Sequence, residues 1–172
     1  LIVRNGIGTA YFDAAQLEDG AVPSQYNLLE NNAFTYKDSS NQATVWNRYN
    51  LTSSDIVNAD GNMYIIGEPD TKKGVYQDVI LEDASQSDTY VLGAWAKATA
   101  LPKGSGRSFS VYPLIYYKDT DGNTVRVQKP FSSFDVAYDE DMQYTSTSFD
   151  LSAEDKTLVP FQIRILACYY RE

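Results

Sequence analysis

Apolar and polar positions alternate along most of this chain. In "DTYVLGAWAKAT", Tyr90, Leu92, Ala94 and Ala96 share one face, and Val91, Gly93, Trp95 and Lys97 share the other. "RSFSVYPLIYYKD" groups Phe109, Val111 and Ile115. "PFQIRILACYYRE" sets Phe161, Ile163, Ile165, Ala167 and Tyr169 against Gln162, Arg164, Leu166, Cys168 and Tyr170. A period of two marks a strand with one buried face. The shorter runs "TVWNRYNL", "NMYIIG", "GVYQDVIL", "NTVRVQ" and "QYTSTSFDL" predict further strands, and no stretch sustains a helical period. The segment "GTAYFDAAQLEDG", residues 8–20, reads as one more strand. It places Phe12 and Ala14 on one face and Tyr11, Asp13, Ala15 and Leu17 on the other.

Turn signals separate these runs. "YYKDTDGNTVRV" sets Asp121-Gly122 between two alternating stretches and predicts a hairpin with a type I′ turn, in which both central residues need positive φ. "ALPKGSGR" reads as a flexible connection, and "FSSFDVAYDEDM" as a longer polar one with room for a single helical turn. About ten short strands joined in this way predict an all-β fold. The expected architecture is a two-sheet antiparallel β-sandwich of jelly-roll type.

Composition narrows the chemistry. A chain of 172 residues suits one domain and can hide roughly 70% of its unfolded surface. Fourteen Tyr and two Trp against two Met agree with strands. The formal net charge of −9 repels phosphate backbones, so no nucleic acid partner is expected. No run approaches the roughly 20 apolar residues of a membrane helix, so no membrane insertion is expected. "LIVRNG" is too short for a signal peptide, which places any export signal outside this segment. The absence of His removes Ser-His-Asp and Cys-His hydrolysis and the commonest zinc ligand. Cys168 has no partner for an internal disulfide, and its mid-strand position reads as packing. Glycoside cleavage needs two carboxylates roughly 5 to 10 Å apart in a cleft. The acidic clusters "DEDMQY" and "LEDASQSD" read instead as solvated loops. The expectation is a protein that is not an enzyme.

Three stretches carry a resemblance. "YNLLENNAFTY", residues 26–36, followed by Trp46, resembles the opening "N-L-L-x-N-G-x-F-E … W" of carbohydrate-binding-module-like jelly rolls, relatives of the galactose-binding-like superfamily. "GTAYFDAAQLEDG" is similar to the closing strand of those modules, and "GVYQDVIL … DTYVLGAWAKA" to their central pair. Such modules run in tandem in exported, wall-associated bacterial proteins of the YD or RHS type. The resemblance therefore implies an extracellular or cell-wall-associated location, with neighbouring repeats as partners. Here the closing strand precedes the opening one. Residues 1–20 are thus expected to be the closing strand of a preceding repeat and 21–172 the jelly-roll module, together forming one structural domain. An orphan strand beside an incomplete sheet leaves costly unpaired edges. Residues 9–17 are expected to fill the vacancy, either within the chain as in a circular permutant or between two chains as a strand-swapped homodimer.

Sugar binding needs flat aromatic faces ringed by polar groups. Trp46, Tyr49, Trp95, Tyr112, Tyr116 and Tyr138 supply rings, and the resemblance places Trp46 under the sheet. Trp95 alternates with the small Gly93 and the charged Lys97, which predicts a solvent-facing ring. With Tyr112 and Arg126 as neighbours, it forms the expected ligand site. No cofactor is required. Related modules often hold a structural calcium between the acid after the opening Phe and an Asp of the closing strand. Asp13 matches the second role, while Thr35 stands where the acid is usual. "KDTDGNT" offers Asp119, Asp121 and Asn123 as alternating oxygens but lacks the terminal Glu of a calcium loop, and the hairpin accounts for the same residues. The resulting expectation is a non-catalytic, carbohydrate-binding-like module that takes a glycan or cell-wall polysaccharide. The alternative is a spacer or adhesion repeat without a ligand.

Overall fold

The computed structural model of the protein describes residues 2–4, 9–19, 27–68, 71–99, 107–130, 132–134 and 141–171. Among them are twelve strands and no helix. In chain order the strands are β1 (Ile2–Arg4), β2 (Thr9–Asp19), β3 (Asn47–Tyr49), β4 (Ile56–Val57), β5 (Met63–Ile66) and β6 (Lys72–Ile80). They continue as β7 (Thr89–Thr99), β8 (Arg107–Lys118), β9 (Thr124–Gln128), β10 (Ser132–Ser133), β11 (Gln143–Asp150) and β12 (Val159–Arg171). The connections around 20–26, 100–106 and 135–140, including the expected helical turn and Tyr138, lie outside the described residues.

Two antiparallel sheets form. One has seven strands along the path β1-β6-β12-β8-β10, with β3 joined to β6 and β9 to β8. The other has five in the order β11-β7-β2-β5-β4. A single apolar cluster joins their facing sides. The five-stranded sheet contributes Phe12, Met63, Ile65, Leu92, Ala94, Ala96 and Phe149, and the seven-stranded sheet Val75, Phe109, Val111, Ile115, Ile163, Ile165 and Ala167. The alternation predicted for β7 and β12 thus sets the inward side chains, and the all-β sandwich is the observed fold.

Strand β2 fills an interior position, paired with β5 from Thr9 to Phe12 and with β7 from Thr9 to Asp19. Residues 9–19 of the chain thus fill the place between β5 and β7. Phe12 also reaches across the sandwich, its ring centroid 5.0 Å from that of Phe109 at a steep angle, while Phe134 lies 4.7 Å from Phe109. An edge-to-face contact such as Phe12–Phe109 adds about 0.5–1.5 kcal/mol beyond area burial.

The strand is not regular. Its register with β7 shifts between Asp13 and Gln16, and both Phe12 and Ala15 are fully buried. Strict alternation assigned Phe12 and Ala15 to opposite faces. A β-bulge adds a residue to one strand and so reverses the parity beyond it. Asn27 holds the bulge, its Nδ2 donating to the Ala15 carbonyl at 3.3 Å and its Oδ1 accepting from Leu29 N–H at 3.0 Å.

The "DTDGN" hairpin forms between β8 and β9, with a different turn from the one predicted. Gly122 has φ of 82°, and Asp121 is absent from the positive-φ residues. The Gly122 N–H donates to the Asp119 carbonyl at 3.0 Å, so a type I-like turn is followed by a left-handed glycine. The cause is the Asp119 carboxylate, which accepts from Asp121 N–H at 2.9 Å, Asn123 N–H at 2.7 Å and Asn123 Nδ2 at 3.0 Å. "NADGN" at 58–62 builds the same loop between β4 and β5, with Gly61 at φ 80° and Asn58 Oδ1 accepting from Asp60 and Asn62.

Two buried polar groups link separate parts of the fold. The Gln77 side chain accepts from Glu30 N–H at 2.8 Å and donates to the Glu30 carbonyl at 2.9 Å, mimicking a strand for the 27–34 segment. Lys73 of β6 and Asp55, before β4, are both buried and form an ion pair at 2.9 Å. The Asp55 carboxylate also accepts from Thr52 N–H, Thr52 Oγ1 and Ile66 N–H. It therefore ties β5 of one sheet to β6 of the other.

Two predictions follow from this packing. A chain shortened to begin at residue 21 loses the interior strand, so we expect no cooperative thermal transition by near-ultraviolet circular dichroism. A synthetic peptide spanning 9–19 should restore one. Tyr117 is fully buried, and its hydroxyl donates to the Leu151 carbonyl at 2.9 Å. Burial, reinforced by the nearby Asp150 charge, pushes its pKa up to about 12. The unfolded phenol ionises near pH 10, so above that pH the native state binds more protons than the unfolded one and stability falls as pH rises toward 12. Tyr117→Phe should remove this alkaline loss and cost about 0.5–1.5 kcal/mol at neutral pH, as read from urea titrations at pH 7 and 11.

Candidate functional site

Outward-facing residues of the two sheets form separate surfaces. On the five-stranded sheet, β7 turns Leu92, Ala94 and Ala96 inward, so Gly93 and Trp95 face out. Trp95 is 44% exposed, as its alternation predicted. Its register neighbour on β11 is Tyr144, 52% exposed. The two ring centroids lie 5.2 Å apart at an interplanar angle of 45°.

Gly93 makes this pair. A Cβ there would sit 3.0 Å from Tyr144 Cζ and 3.2 Å from Cε2, and would collide with the hydroxyl. The Tyr144 ring therefore covers bare β7 backbone, which is the use of a strand glycine where another group approaches closely. Around the rings, Ser146 and Ser148 of β11 are exposed and Lys97 is half-buried. The result is a two-ring apolar platform edged by hydroxyls and an amine.

Tyr112 and Arg126, the neighbours expected for Trp95, stand on the other sheet. Their strands β8 and β9 belong to the seven-stranded sheet, with Arg126 opposite Tyr116. Tyr112 is 9% exposed and groups with Leu114, Leu166 and Cys168 in a second cluster behind the main core. The sandwich, about 10 Å between sheets, separates them from Trp95. Sequence spacing carries no information on which sheet a strand joins.

On that second face the aromatic rings are engaged with charges. The Arg164 guanidinium lies 4.2 Å from the Tyr76 ring centre and 5.4 Å from that of Tyr116. It donates through Nε and Nη2 to the two carboxylate oxygens of Asp78 at 2.6 and 2.8 Å, a bidentate pairing that raises its pKa. Lys72 Nζ donates to the Tyr112 hydroxyl at 3.2 Å and lies 5.5 Å from the centre of the Tyr49 ring. Cys168 is fully buried, and burial raises its thiol pKa, which suits packing rather than reactivity.

The remaining candidates separate clearly. Trp46 is buried against Phe34, with ring centroids 5.1 Å apart and its Nε1 donating to the Asn31 carbonyl at 3.0 Å. Asp13 is placed on β2 opposite Trp95 in register. Its side chain, and with it the metal expectation, lies outside the described residues. The Asp119 carboxylate serves its own turn, and the hydrogen bond from Asn123 lowers its pKa. Among the described residues no three His, Cys, Asp or Glu side chains come together as a metal site. An open depression of about 460 Å³ lies beside Phe34, Thr35, Lys37, Asn58 and Asp60. Tyr144 is the site residue that sequence reasoning missed. The signal was present in "QYTSTSFDL", whose outward face runs Tyr144, Ser146, Ser148, but its pairing with β7 was not. No known family model matches the chain, and no curated protein matches its sequence.

Gly93→Val should displace the Tyr144 ring and leave the core intact. We expect a changed Trp95 fluorescence maximum and a stability loss of about 1–3 kcal/mol, measured by fluorescence-monitored urea unfolding. Tyr144→Ala should reproduce the spectral change without that loss.

Proposed function

We propose that this protein is a non-catalytic glycan-binding module and that Trp95 and Tyr144 form its sugar platform. The supporting observation is their arrangement: two exposed rings 5.2 Å apart on the outside of a rigid sheet. The apolar face of a pyranose ring stacks on such a surface, while surrounding polar groups address its hydroxyls. Ser146, Ser148 and Lys97 occupy those flanks. An open, exposed platform of this kind holds a sugar without enclosing it, which favours recognition over bond cleavage. The resemblance of "YNLLENNAFTY", "GTAYFDAAQLEDG" and "GVYQDVIL … DTYVLGAWAKA" to jelly-roll carbohydrate-binding modules of exported bacterial repeat proteins supports the same reading. It extends that reading to a glycan or cell-wall polysaccharide as partner and to a wall-associated setting.

A second reading, a spacer or adhesion repeat without ligand, draws on the opposite face. There the aromatic residues are tied into Arg164, Asp78 and Lys72, an arrangement suited to stiffening the sheet. A glycan array probed with the wild-type chain, followed by calorimetry on any hit, distinguishes the two. Trp95→Ala and Tyr144→Ala should each weaken binding about ten-fold or more, about 1.4 kcal/mol, and Tyr49→Ala should leave it unchanged. No binding to any carbohydrate at millimolar protein would favour the spacer.

A further inference from the structure

The ion pair at the crossover between the sheets has a geometry that the sugar platform does not use. Lys73 Nζ lies 2.9 Å from Asp55 Oδ2 and 2.6 Å from Glu68 Oε1. The side chains of Lys73 and Asp55 are 1% and 0% exposed, while that of Glu68 is 47% exposed. One amine, one carboxyl carbon and a second carboxylate are therefore assembled at a point that excludes water from two of the three groups.

We propose that Lys73 and Asp55 condense into an intramolecular isopeptide bond, with Glu68 as the catalytic proton carrier. Attack requires a neutral amine and a neutral acid, so the first step is passage of one proton from the Lys73 ammonium to Asp55 Oδ2, 2.9 Å away. The Nζ lone pair attacks Asp55 Cγ and forms the C–N bond. Negative charge develops on Oδ1, which Ile66 N–H already holds at 2.7 Å, the arrangement that stabilises a tetrahedral oxyanion. Glu68 takes a proton from the nitrogen and returns it to the departing oxygen, Oδ2. The C–O bond breaks and water leaves. An ammonium and a carboxylate thus become one amide and one water, Glu68 ends as it began, and no oxidant or cofactor enters the balance.

Proximity supplies the rate. Groups held in contact by a folded scaffold react as though at effective concentrations of about 10⁵–10⁸ M. The product also suits its surroundings, because an amide replaces a charged pair whose burial carries a large desolvation penalty. The bond would join β6 to the loop before β4 and so fasten one sheet to the other covalently. This inference stands apart from any glycan reading, since none of its groups lies on either outer face.

The test is the intact mass of the full chain under denaturing conditions, after incubation in the folded state. The expected mass is lower than that of the unmodified sequence by one water. Peptide mapping should show a branched product joining the segment that contains Asp55 to the one that begins at Lys73. Glu68→Gln, which alters a half-exposed residue, should keep the native circular dichroism spectrum and the full mass. Lys73→Arg, which preserves the charge but removes the amine, should also keep the full mass. Wild-type protein at the unmodified mass, water loss mapped elsewhere, or cross-linking of Glu68→Gln as fast and complete as wild type would each overturn the proposal.

Discussion

Among the described residues, strands β5 and β7 are joined in one sheet through β2. Each already has an outer neighbour, β4 and β11 respectively, and the edges they turn toward each other carry rows of backbone N–H and C=O groups. Buried backbone groups must be paired, and β2 pairs both rows at once. The same strand delivers Phe12 into contact with Phe109 of the opposite sheet. One segment thus supplies the hydrogen-bond closure of the five-stranded sheet and an aromatic link between the layers. The bulge after Asp13 adapts it to both tasks by letting Phe12 and Ala15 face the core together.

Elsewhere the sandwich is joined by buried polar groups that are held by several hydrogen bonds each. A buried carboxylate is tolerable when it is surrounded by donors, and Asp55 receives four, from Lys73, Thr52 N–H, Thr52 Oγ1 and Ile66 N–H. Gln77 does similar work without charge, serving both backbone groups of Glu30. Such contacts contribute directionality. An apolar core alone would let the sheets slide, whereas Lys73–Asp55 fixes the crossover and Gln77 fixes the loop that leads to Phe34 and Trp46.

The two outer faces show how similar residues reach different ends. Tyr76 and Tyr116 flank a guanidinium that is itself neutralised by Asp78, so their π-faces are engaged internally. Trp95 and Tyr144 pack against each other and remain exposed. The difference lies in the neighbours. Arg164 and Asp78 are register partners on β12 and β6, while Trp95 is bordered by Gly93, whose missing side chain leaves room for a ring to lie down.

Local pattern by itself determined the strand content, the inward residues of β7 and β12, the exposure of Trp95 and the position of the Asp121-Gly122 hairpin. Each follows from a period of two or from turn chemistry within a few residues, information a short window contains. Tertiary structure alone decided that Trp95 meets Tyr144 rather than Tyr112 and Arg126, that Ala15 faces inward, that Asp119 selects a different turn from type I′, and that Lys73 lies against Asp55. These depend on sheet order, register and a single inserted residue. Such features are set by contacts between segments far apart in the chain, and alternation, which repeats identically in every strand, cannot distinguish one partner from another.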